Sequence, residues 1–406
     1  MPFTMRSSTF LLSASGATAA LAAPLDERAP CIGNTCGISL PVIAPSTGGH
    51  ATCISGYVDV NATTNKNIKF NYPIPANQTV VTETFLNTIT PGDSFAQQIQ
   101  QGQANVSGTY KIAVTLCTPK NNNKPTHVQF LTHGVGFDRS YWDFAPGYSY
   151  IDAAAQNGYA TFSYDRLGVG LSAKPDPIQT IQAPFEVEIA HSLINSLAQG
   201  QYGGLNVTKV VGVGHSFGSI ITQALTAQYP DLLDAAILTG FSTNSTAMPT
   251  FLQGLNLAIA SQNQPTRFAT LNNGFLVSDT AISNQIGFFR APGFDPTILY
   301  KSEATKGTVT PGELFTTTAV TATAKQYTNP IAVVNGNNDL PFCFGNCSYP
   351  TNEAAAVRPA LYPAVAADDF GTHLAPTTGH GLNLHYSAEA SYKYIQDFIN
   401  QHGLAA

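Results

Sequence analysis

Apolar positions along the chain fall into two regimes. Before residue 127 they come in short runs with partial alternation, Ile54–Val60, Asn67–Tyr72 and Thr109–Cys117. A period of two predicts half-buried antiparallel strands. Between them Gln98–Gln103 is polar and predicts a loop or frayed helix. Residues 24–50, rich in Pro, Gly, Ser and Thr, predict an arm tied down by its cysteines.

From residue 127 the rhythm changes. His127–Thr132 is a buried-strand run that ends in His133-Gly134-Val135-Gly136. A helical stretch around Ile151–Asn157 leads to a strand at Ala160–Tyr164. Ile189, Leu193 and Leu197 recur every four residues, a helix face. Lys209–Val213 and Leu233–Leu238 read as strands around a helix at Ser219–Gln228. Strands alternating with helices predict a parallel sheet. The alternation stops over 245–328, resumes with a strand at Pro330–Asn335, and closes on a helix with Tyr392, Ile395 and Phe398 on one face. A gap of that length inside a parallel sheet predicts an inserted subdomain.

Composition narrows the class. Charged residues are 10% of the 406, hydrophobic ones 43%, and the net charge is -6. The chain is too apolar for disorder, and it lacks the basic footprint of a nucleic-acid binder. No apolar run is long enough for a transmembrane helix. At the amino terminus Arg6, the apolar stretch Thr9–Ala22 and Ala20-Leu21-Ala22 have the order of a secretory signal peptide, residues 1–22. The carboxyl terminus lacks the hydrophobic tail of a lipid-anchor signal, so no stable membrane anchor is expected.

Six cysteines follow, and an even count in an oxidising compartment predicts disulfides. Proximity favours Cys31–Cys36 and Cys343–Cys347, which leaves Cys53–Cys117. No His stands at ligand spacing from a Cys pair, so a metal site is not expected. Six Asn-x-Ser/Thr acceptors, Asn61, Asn77, Asn105, Asn206, Asn244 and Asn346, agree with secretion and predict a glycoprotein.

The chemistry concentrates at Gly214-His215-Ser216-Phe217-Gly218, a Gly-x-Ser-x-Gly turn between a β-branched strand and a helix. Such a turn strains the Ser backbone and projects its hydroxyl from the sheet edge, with the glycines supplying room. A Ser hydroxyl needs a base. Of His373, His380, His385 and His402, His380 stands in a flexible loop between Gly379 and Gly381 and is the expected base, with His385 as rival. Asp339 follows the strand at Ile331–Asn335 and is the expected orienting acid. Asp279, Asp368 and Asp369 are the other acids to weigh. The backbone N–H groups of Phe217 and Val135 are the expected oxyanion donors.

Taken together, His133–Gly136, Tyr164–Ser172, Gly214–Gly218, Gly336–Asp339 and Gly379–Gly381 resemble the α/β-hydrolase superfamily, and the secreted, sequon-bearing format resembles secreted serine hydrolases of filamentous fungi. The resemblance implies an α/β fold with a mostly parallel central sheet flanked by helices. Residues 23–126, expected as an amino-terminal arm with antiparallel strands of the core, have no counterpart in the minimal fold; the resemblance implies 127–244 and 329–406 as the catalytic core and 245–328 as a cap over the pocket. It implies hydrolysis without a cofactor through Ser216, Asp339 and His380. A carboxylic ester with an apolar acyl or aromatic group is the expected small-molecule substrate. A peptidase or amidase on the same triad, or a catalytically silent binding protein, are the alternatives.

Overall fold

The computed structural model describes residues 33–122 and 124–406. The expected signal peptide, and Cys31 of the expected Cys31–Cys36 pair, lie outside the described residues.

A nine-stranded sheet runs in the order β1-β2-β3-β5-β4-β6-β7-β10-β11. Its strands are β1 (Ser39–Pro45), β2 (Ala51–Phe70), β3 (Gln100–Pro119), β4 (His127–Thr132), β5 (Ala160–Tyr164), β6 (Lys209–His215), β7 (Ala235–Thr239), β10 (Ile331–Gly336) and β11 (Phe370–Ala375). Two short strands, β8 (Ala258–Ile259) and β9 (Leu276–Val277), pair separately as an antiparallel ladder. β1, β2 and β3 join antiparallel onto β5, and all pairings from β5 through β4, β6, β7 and β10 to β11 are parallel. This is the architecture implied by the resemblance, a mostly parallel sheet flanked by helices.

The parallel strands are short and buried on both faces. β5, β7 and β10 are buried at every position, which is why they read as continuous runs rather than alternating ones. The helices that cover them include Ala183–Ala198, Phe217–Gln228 and Ala388–Ile399. The last buries Tyr392, Ile395 and Phe398, the stripe expected from sequence.

The amino-terminal half departs from expectation. The two runs at 54–60 and 67–72 are one 20-residue strand, and β3 is equally long. Their ladder holds from Ala51↔Pro119 to Phe70↔Gln100, with two irregularities near its far end. The polar Gln100–Gln103, expected as loop or frayed helix, therefore belongs to β3. It lies where the ribbon leaves the core, and there cross-strand hydrogen bonding holds a strand without an apolar face. Residues 24–50 contain the exposed edge strand β1 rather than only an arm. A helix at Gln78–Ile89, capped by the Asn77 side chain on Val80 N–H, was not legible because only Val81 and Thr84 are buried.

Residues 245–328, which lie between the neighbouring strands β7 and β10, form helices at Met248–Leu255, Ala260–Asn263, Pro265–Phe268, Ala281–Phe288, Pro296–Thr305 and Pro311–Thr316. Their signal is in caps rather than periodicity. Thr280 and Asp295 cap two of them, and Thr310 with Glu313 forms a full capping box at a third.

Candidate active site

The β6 strand delivers the site. After His215 the chain turns sharply into helix Phe217–Gln228, and Ser216 at the turn has φ 56° and ψ −117°. Two glycines make that turn possible. A Cβ on Gly214 would lie 2.4 Å from the Gly218 carbonyl oxygen, and one on Gly218 would lie 2.0 Å from that of Thr132. Both contacts are backbone, so neither can yield to a side chain.

The structure brings the three expected side chains together. His380 Nε2 is 2.7 Å from Ser216 Oγ, and His380 Nδ1 is 2.6 Å from Asp339 Oδ2. Asp339 caps the short helix Leu340–Cys343, its Oδ1 accepting the Phe342 N–H at 2.9 Å. A carboxylate only accepts, so Nδ1 carries the proton and Nε2 is free to accept from the serine hydroxyl. Asp339 is fully buried, His380 nearly so, and Ser216 is 7% exposed. The rings of Phe251, Phe288 and Phe342 stand 5.7, 6.0 and 5.8 Å from the His380 ring. Two of these come from residues 245–328, so that segment walls the imidazole.

The loop after β4 runs beside the serine. A Cβ on Gly134 would approach Ser216 Cβ to 2.8 Å. Among the described residues, the N–H groups of Val135 and Phe217 have no protein acceptor. The carbonyl of Gly134 accepts from His133 Nδ1 at 2.9 Å and faces an Arg166 nitrogen at 3.5 Å. In a trans peptide the N–H points opposite the carbonyl, so the Val135 N–H is turned away from Arg166.

The remaining candidates sit elsewhere. His373 lies in β11 and stacks on Tyr394 at 4.9 Å. His402 Nδ1 meets the Phe398 carbonyl at 2.7 Å, and Asp369 lies 3.9 Å from its other nitrogen. The Asp368 carbonyl also meets His402. Asp279 binds the side chains of Asn256 and Asn263. His385 bonds backbone rather than serine. Burial holds its pKa down at about 4, and burial with the neighbouring His380 holds that of His215 well below the usual range.

Two disulfides are described. Cys53–Cys117 joins residues directly opposite in the β2–β3 ladder, and Cys343–Cys347 closes the loop after Asp339. That loop returns to the acid, with Gly345 N–H donating to the Asp339 carbonyl at 2.8 Å and Cys347 N–H to that of Asn337 at 2.9 Å. Among the sequons, Asn61, Asn77, Asn105, Asn206 and Asn346 are exposed. Asn244 is half-buried, and its Nδ2 meets Glu353 at 3.3 Å.

One feature was missed at the residue level. Arg166, inside a stretch that carried the resemblance, is fully buried. It bonds both Glu186 and Glu313, and its Nε donates to the His133 carbonyl at 3.1 Å. A charged residue two positions past a buried strand was the available signal, since such a charge needs partners.

Residues 130–391 match the model of the alpha/beta hydrolase family, and the chain belongs to that family. Similar solved structures include a bromoperoxidase from Bacillus anthracis (17% identity, 72% of this chain and 96% of that chain, TM-score 0.48). A thermophilic esterase from Thermogutta terrifontis has 15% identity over 74% of this chain and 96% of its own, with a TM-score of 0.47. A monoacylglycerol lipase from Paleococcus ferrophilus has 13% identity over 69% and 96%, also with a TM-score of 0.47. No protein of curated function matches the sequence. Among the described residues no helix is long and apolar enough to cross a membrane.

Proposed function

We propose that this hydrolase is a secreted serine esterase acting on small carboxylic esters with apolar acyl or aromatic groups. The observation that carries the reading is the chain of two short contacts from Asp339 through His380 to Ser216. Ser216 Oγ attacks the acyl carbon while its proton passes to His380 Nε2. Asp339 keeps the imidazole in the required tautomer and stabilises its charged form. The oxyanion is held by the N–H groups of Val135 and Phe217. Collapse expels the alcohol, which takes the proton from His380. Water then attacks the acyl-enzyme by the same route in reverse, releasing the acid and restoring Ser216.

Substrate class is read from the walls. Phe251 and Phe288, supplied by a cap at 245–328, suit an apolar group better than a charged peptide terminus. Secretion is supported by the leader pattern, the two disulfides and the exposed sequons at Asn61, Asn77, Asn105, Asn206 and Asn346. The test is a panel of aryl butyrates, triglycerides and aminoacyl amides with Ser216→Ala as blank. Butyrate turnover above the matching amide is expected. Faster amide turnover favours a peptidase, and no turnover of any member favours a silent binding protein.

A further inference from the structure

His380 stands between two glycines, so no neighbouring side chain steers it. The loop is held instead by another imidazole. His385 Nδ1 meets the Gly381 carbonyl at 2.9 Å. Its Nε2 receives two backbone N–H groups, from Gly379 at 3.1 Å and from Arg290 at 2.9 Å. A ring that accepts at Nε2 must be neutral and must carry its proton on Nδ1, and the depressed pKa of this buried ring agrees. One imidazole therefore grips both neighbours of His380.

The third contact reaches the insertion. Arg290 follows the helix that carries Phe288, whose ring stacks near His380. The Phe288 carbonyl accepts from Gly381 N–H at 2.7 Å, and the Gly293 carbonyl from Tyr386 N–H at 2.8 Å. Segment 288–293 and segment 379–386 are thus laced together, with His385 at the centre. A Cβ on Gly379 would meet the Phe288 carbonyl oxygen at 2.7 Å, so the approach is close enough to require glycine.

We infer that His385 is a positioning residue for His380, and that through Arg290 it ties the alignment of the base to the seating of the 288–293 segment. This rests on the esterase reading for the identity of the base, and on the geometry alone for the link. His385 touches no reacting atom. Its role is to hold Gly379 and Gly381 so that His380 keeps both its contacts.

Three variants separate the two halves of the grip. His385→Leu fills the space and bonds nothing. His385→Gln restores an acceptor near Nε2, and His385→Asn a donor near Nδ1. With the enzyme folded by circular dichroism, His385→Leu should lower kcat on an aryl ester by about 10- to 100-fold, as expected for a misplaced catalytic group. KM should change by less than about 3-fold, because the residue does not face substrate. His385→Gln should recover part of the loss and exceed His385→Leu. An unchanged kcat in folded His385→Leu, or a loss carried wholly by KM, overturns the inference.

A second readout needs no substrate. The proton between His380 Nδ1 and Asp339 should give a downfield resonance in the wild type. It should broaden or vanish in His385→Leu and return in His385→Gln. A resonance unchanged in His385→Leu overturns the inference even if no ester is ever turned over. Loss of ester activity in the panel with the resonance behaving as stated overturns the esterase reading and leaves the positioning role standing.

Discussion

The guanidinium of Arg166 lies 4.5 Å from the centre of the Phe217 ring. The same side chain reaches the carbonyl of His133 and faces that of Gly134. One buried cation thus touches both segments whose N–H groups are assigned to the oxyanion. Two carboxylates, Glu186 and Glu313, share it. Burial holds the Glu186 pKa well above the carboxylate range, opposed by the charge of Arg166 and helped by that of Glu313. Its Oε1 also has no donor. Burial thus assigns Glu186 the weaker hold on a negative charge beside Arg166.

That assignment separates two nearly identical substitutions. Glu186→Gln should leave thermal stability and turnover close to wild type, since burial already opposes the charge that the substitution removes. Glu313→Gln leaves Arg166 with only the carboxylate whose charge burial opposes, and should cost about 3–5 kcal/mol. Thermal melts of the two variants check this, and equal losses would contradict the assignment.

Gly240 is the tightest point beside the base. Its φ is +56°, and a Cβ would lie 2.9 Å from His380 Cε1 and 3.0 Å from His215 Cε1. Gly240→Ala should displace one of the two rings and lower kcat at least ~10-fold, while the backbone strain costs about 1–2 kcal/mol. Steady-state kinetics beside a melting curve would show an effect on rate larger than the loss of stability explains. A normal rate would mean the ring shifts without consequence.

The Cys343–Cys347 bond closes a ring just after Asp339. Short rings add little global stability in the chain-entropy account. The doubly substituted Cys343→Ser, Cys347→Ser protein should melt near the wild-type temperature and turn over several-fold more slowly. Its kcat against that of Asp339→Asn is the comparison, the latter falling by about 10⁴ if the triad acts as assigned.

Acid stability carries the sign of the His385 shift. The folded ring titrates at about 4, and an unfolded histidine at about 6.5. Above pH 6.5 both states are neutral there. Between 6.5 and 4 the unfolded chain binds the extra proton, so stability is lost as pH falls, and below 4 the loss is complete. His385→Asn cannot take part. The wild type's stability advantage over this variant should therefore shrink by about 1.4 kcal/mol per pH unit across that window. A constant gap in urea denaturation from pH 7 to 4.5 would contradict this.

The parallel half of the fold and the meeting of Ser216, Asp339 and His380 were legible for a common reason. Buried strands such as β7 and β10 are nearly continuous apolar runs, and Ser216, Asp339 and His380 each follow a strand end in chain order. The antiparallel ribbon was less legible because its outer part, Gln100–Asn105, is polar and held by backbone pairing rather than by burial. The helices of residues 245–328 were hidden because they are short and start on caps and prolines, as at Thr310-Pro311, instead of showing a long apolar stripe. The partners of Arg166 and the grip of His385 were not legible, although the Arg166 charge beside a buried strand was itself a signal. Both act on backbone groups distant in sequence, His133 and Gly134 for one and Arg290 for the other, and no spacing rule encodes such contacts.

The central claim is that Ser216 is the nucleophile and His380 its base. A fluorophosphonate probe reacts with an activated serine, and mass spectrometry locates the adduct. The account predicts one adduct, on Ser216, absent in Ser216→Ala and formed at least ~10³-fold more slowly in His380→Ala. An adduct on any other serine, or an equal rate without His380, would contradict it.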